Sequence, residues 1–222
     1  MDLVKTVLRL GFSTASRPWL EIRDILRVAG GDQTAEIQAS PLVIDRPQQR
    51  QRIIVEVRAA ALEQEAPQSA DSSLARAIEI MSRLNEASEF PTLSQIRYDA
   101  IFIEPFSLPF HELLMRLKGR FFRPNALVES ATDIGFVLDI HENEGIKHIS
   151  LGPMEAEQLR SQYLRWPPED IPETFVFVGL TCESKAETQF GTESLRDFLK
   201  TAAEWQTTEA KTILDYLHGG EA

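Results

Sequence analysis

At 222 residues, with 43% hydrophobic side chains, the chain has enough apolar material for a real core and does not read as a disordered protein. A net charge of −11 and a pI near 4.9 disfavour nucleic acid and anionic membrane surfaces, because both reward clustered Lys and Arg. A single cysteine, Cys182, excludes an internal disulfide, so a reducing cytoplasm is the expected compartment. No apolar run is long enough for a membrane span, and Met1–Lys5 does not open a secretory signal.

In chain order, Val4, Thr6, Leu8 and Leu10 alternate with Lys5, Val7 and Arg9 and predict a half-buried strand ending near Phe12. A helix is expected from a Ser16 cap, with Trp19, Ile22, Ile25, Leu26 and Ala29 on one stripe and Gly30-Gly31 ending it. One apolar strand from Ile37 to Ile44 follows, then a turn at Pro47-Gln48-Gln49 and a returning strand Ile53–Val57. Glu63–Ser72 reads as a linker, polar and without periodicity. Behind it, Leu74, Ala77, Ile78, Met81 and Leu84 predict a helix over 73–87.

The second part repeats the plan. A strand is expected through Ile96, Tyr98, Ala100 and Phe102, then a helix over Pro109–Phe121 capped by Ser107. A hairpin follows, Ile134–Ile140 out and Ile146–Leu151 back around Glu142-Asn143-Glu144-Gly145. Next come a short helix (Met154–Tyr163), a Trp166-Pro167-Pro168-Glu169-Asp170 loop, an apolar strand Phe175–Leu180 and a long amphipathic helix from Ser194 to Gly219.

Two blocks match across a separation of about 91 residues. Ser16-Arg17-Pro18-Trp19-Leu20-Glu21 returns as Ser107-Leu108-Pro109-Phe110-His111-Glu112, and Val43-Ile44-Asp45 returns as Val137-Leu138-Asp139. The expected fold is therefore α+β: two internally duplicated β-α-β-β(-β)-α units, residues 1–90 and 91–222, sharing a mostly antiparallel sheet with helices on one face. Charge separates the units. Residues 1–90 hold 13 acidic and 11 basic side chains (−2), and residues 91–222 hold 21 and 12 (−9).

Recognised catalytic signatures are missing: no phosphate-cradling Gly-x-x-x-x-Gly-Lys loop, no Gly-x-Ser-x-Gly elbow, no His-Glu-x-x-His helix, and too few cysteines for a zinc ribbon. The sequence calls for no catalytic residue, no cofactor and no metal, and argues against an enzyme. Asp139 with His141 could converge at the hairpin tip, since alternate strand residues share a face. Asp45 and Asp139 occupy matched places, where paired carboxylates could share a cation.

Arg46, Arg50 and Arg52 form the only basic concentration, opposite in sign to the Glu142/Glu144 tip, which would favour self-association. Trp166, Pro167 and Pro168 form a stiff apolar loop suited to protein recognition. The expected function is a non-catalytic binding or assembly subunit acting on a protein partner or on its own copies. A small-ligand site or an enzyme cleft between the halves, drawing on Asp139, His141, His148 or Cys182, is the second reading. A nucleic-acid contact through the Arg46–Arg58 hairpin is the third.

Overall fold

The structure is a computed structural model describing residues 1–13, 36–39, 42–56, 58–88, 93–143, 145–184 and 192–219. The helix expected after Ser16, and with it the first copy of the doubled block, lies outside these residues. The described strands are β1 (Asp2–Phe12), β2 (Glu36–Ala39), β3 (Leu42–Arg46), β4 (Gln51–Glu56), β5 (Ala59–Glu65), β6 (Leu93–Pro105), β7 (Phe136–Glu142), β8 (Gly145–Glu155) and β9 (Thr174–Ser184). The helices are α1 (Ala70–Ser88), α2 (Phe110–Phe121), α3 (Ala126–Ser130), α4 (Ala156–Gln162) and α5 (Thr192–His218).

The nine strands join one sheet in the order β2-β3-β4-β5-β1-β6-β9-β8-β7, and every neighbouring pair is antiparallel. The order is a palindrome around the β1–β6 pair. Outward on one side run β5, β4 and β3; on the other run β9, β8 and β7. The strand β2 stands outside that match, beyond β3.

Apolar residues at period two place one continuous core beneath one face. Leu8, Leu10, Ile44, Ile53, Leu62, Tyr98 and Cys182 are buried there with Ala77 and Ile80 of α1 and Leu195, Leu199 and Ala202 of α5. Its continuation under the second part gathers Phe102, Ile149, Leu151, Val178 and Leu180 with Leu113 and Leu117 of α2 and Ala210, Leu214 and Leu217 of α5. The length of α5 thus lets a single helix close both parts of the core.

Four expectations need correcting. The run Ile37–Ile44 is not one strand: β2 folds back on β3 with Ile37 opposite Ile44, and Pro41, which cannot donate to a ladder, stands within the run. The expected linker begins inside β5, a central strand paired with both β1 and β4. Its Ala59-Ala60-Ala61 start carries little β-propensity, and only burial of Ala60 and Leu62 against the core selects the strand. Ser107 does not cap α2; Pro109 holds the N-cap position with no side-chain cap bond.

Helices also occupy both faces. While α1, α2 and α5 share one, Leu159 of α4 packs with Val4, Ile103, Leu164, Ile171, Phe175 and Phe177 in a smaller cluster. Ile103 and Phe177 are register partners one step along from Phe102 and Val178, so alternation puts this cluster on the opposite face.

Candidate functional site

On the face carrying α4, the registers line up one side chain from each of eight strands. The row runs Asp45, Arg52, Glu63, Val7, Asp99, Thr181, His148, Asp139. The matched aspartates are the two ends of this row. Seven strand spacings of about 4.8 Å separate them by more than about 30 Å, so they do not share a cation.

Each aspartate faces a basic partner on the next strand inward. Asp45, 3% exposed, lies 3.4 Å from Arg52 Nε and also 3.0 Å from Arg165 Nη2. Asp139, on an exposed strand, is bonded to His148 Nδ1 at 2.6 Å. The proposed convergence of Asp139 with His141 is replaced by this cross-strand pair. The ring of His141 makes no hydrogen bond or ion pair with the described residues, and no group of three His, Cys, Asp or Glu among them could hold a metal.

Arg165 belongs to the segment between α4 and β9, and the row ties that segment down. Glu65, 3% exposed, accepts the backbone N–H groups of Arg165 (2.8 Å) and Trp166 (2.7 Å). Lys5 lies 3.6 Å from Glu65 and donates to the Tyr163 carbonyl at 2.8 Å. A buried carboxylate from the first part therefore fixes a loop of the second, and Leu164 and Ile171 fill the apolar cluster beneath. Trp166 is half-buried with the Arg165 guanidinium 5.7 Å from its ring centroid; Pro167 is exposed and Pro168 half-buried.

The three arginines of the first hairpin point in different directions. Arg46 lies on the helix-covered face, 1% exposed, and donates to Gln51 Oε1 at 2.9 Å. Arg52 is on the opposite face with Asp45, and Arg50 sits at the turn with φ of 48°. Sequence proximity made a patch of residues that strand alternation divides.

Near the β1–β6 seam is a trough of about 390 Å³ whose walls include Lys5, Arg9, Arg97, Asp99, Tyr163 and Thr181. Its charges are paired with one another: Asp99 with Arg97 (2.9 Å), Arg9 (3.7 Å) and the Thr181 hydroxyl (2.5 Å), and Lys5 with Glu63 (3.3 Å). None of the residues that the sequence offered for a cleft lines it. Cys182 faces the helices, its thiol pushed up to about 12 by burial, with Lys147 opposing and Glu142 and Asp99 adding to the rise. His148 stands with Asp139, His141 is at the hairpin end, and His218 bonds Glu104 (3.3 Å) and stacks on Phe106.

The end of the row at β7 differs. Among the described residues no strand pairs with its outer edge. Val137 is 73% exposed, Leu138 56% and Ile140 43%, and Leu127 on α3 is 81% exposed. Periodicity could name these residues as strand but could not show that nothing covers them. The signal that was legible is the lack of Lys or Pro along β7, the usual protection of an edge. No protein-family model matches this chain, and no curated protein matches it.

Proposed function

We propose that this protein is a non-catalytic binding or assembly subunit that joins another protein chain by strand addition at β7. The observation that carries the reading is that β7, unlike β3 at the matched place, has no strand on its outer side among the described residues, and that Val137, Leu138 and Ile140 stand exposed along it. Edge backbone gives affinity in such contacts, and alternate side chains give selectivity. The remainder of the polar face supports this division of labour, because its charges are committed to holding the two parts and the Trp166 segment together.

A photo-crosslinking residue at Val137 in the full chain tests it. Adducts with a protein chain from Val137, and none from the exposed Lys200 on α5, are expected. Equal yields from both positions, or none from either, would overturn the reading. As for the remaining partners considered, no described helix is long and apolar enough to cross a membrane.

A further inference from the structure

Resting on that reading, we infer that the occupant of the β7 edge is a second copy of this chain, paired antiparallel about a twofold axis at Ile140. The palindrome defines what the edge lacks. At the other end of the row Asp45 has an inward partner, Arg52, and a second cation, Arg165, while an antiparallel strand, β2, covers β3. Asp139 has the inward partner, His148, but among the described residues no second cation, and β7 has no outer strand.

A second β7 supplies the strand and, in His141, an imidazole partner for Asp139. With Ile140 opposite its own copy, Asp139 of each chain faces His141 of the other, because opposite residues in a register centred at 140 sit equally far on either side. Val137, Asp139 and His141 share one face by alternation, so the charge match occurs twice on that face while the two Ile140 side chains meet on the other. Centring on Asp139 would oppose two carboxylates. Centring on Leu138 would set each Asp139 against a valine and leave His141 without a carboxylate. The pairing of carboxylate with imidazole selects Ile140. The contact is isologous and closed, so assembly stops at a dimer and the two sheets become one.

The test uses the full-length protein, whose one native thiol, Cys182, is buried. Sedimentation from micromolar to millimolar concentration is expected to show a monomer–dimer equilibrium. Ile140→Cys is expected to form an intermolecular disulfide on mild oxidation, because directly opposed strand residues lie within disulfide reach, and Leu138→Cys is not. His141→Glu, which opposes two like charges at each contact, is expected to weaken the dimer by at least about tenfold. An unchanged circular-dichroism melt of each variant separates these effects from unfolding. A dimer that cross-links through Leu138→Cys rather than Ile140→Cys would overturn the register. A strict monomer whose Val137 photo-adduct is another protein would overturn self-pairing and leave the binding reading standing. A strict monomer without adducts would overturn both.

Discussion

The hairpin β3–β4 and the hairpin β7–β8 occupy matched ends of one sheet and carry matched residues, yet one is core and the other is surface. All five residues of β3 are buried; none of the residues of β7 is. The helix-covered row shows the cause. From the first end inward it reads Ile44, Ile53, Leu62, Leu8, and from the second end inward Ile140, Lys147, Cys182, Tyr98. Four apolar positions in succession carry the first end into one buried cluster with residues of α1 and α5. At the other, Lys147 turns outward to Glu142 (2.6 Å) and over the Trp205 ring (5.2 Å), and β7 reaches the core through Phe136 at its start, while Val137, Leu138 and Ile140 stay exposed. Similar local patterns thus acquire opposite roles from their neighbours.

The sharpest test of that contrast substitutes matched apolar residues. Ile44, 1% exposed, should lose about 3–4 kcal/mol of stability as Ile44→Ala, the usual cost of emptying a core site. Leu138→Ala should change the stability of the monomer by no more than about 0.5 kcal/mol, since the side chain is 56% exposed. Urea unfolding at low protein concentration measures both. Equal losses would mean that β7 is packed as β3 is.

The matched aspartates should differ slightly less. Asp45→Ala strands Arg52 and Arg165 around a buried gap and should cost about 3 kcal/mol, with faster amide exchange in the 163–171 segment that Arg165 helps to hold. Asp139→Ala removes an exposed pair with His148 and should cost less than about 1 kcal/mol. If the two melts shift alike, the burial difference does not govern the row.

A smaller effect reads the place where core meets charge. The Cys182 thiol is raised from 9.0 to about 12, so above pH 9 the folded state holds a proton that the unfolded chain releases. Stability is fully present below that pH and falls as pH rises toward 12, with a limiting slope of about 1.4 kcal/mol per unit. Cys182→Ala should flatten this decline between pH 9 and 10.5, and the native thiol should resist alkylation at pH 8 until the protein unfolds. Rapid native alkylation would show that the second end of the core is open.

Much of the fold was legible in the sequence. The period-two run Val4–Leu10 and the apolar run Phe175–Leu180 lie within β1 and β9, and the helical stripe from Leu195 to Leu217 is the α5 face that seals both core regions. β5 was not legible, because Ala-rich sequence is selected as strand only by the partners on either side of it. Of the candidate site residues, Asp139 stands at the opposite end of the row from Asp45, and its partner was misread. His148 lies nine positions away in sequence and directly opposite in register. Glu65 was missed altogether. Its partners Arg165 and Trp166 lie about one hundred residues downstream, and no local pattern announces a contact of that span.

By itself, the sequence determined elements such as β1, β9 and α5, because strand alternation, apolar runs and helical stripes act over a few positions. Tertiary structure alone decided which hairpin became core and which became edge. Exposure depends on what packs over a strand's faces: Leu42 and Ile44 of β3 lie in one cluster with residues of α1 and α5, whereas Val137, Leu138 and Ile140 of β7 stand open.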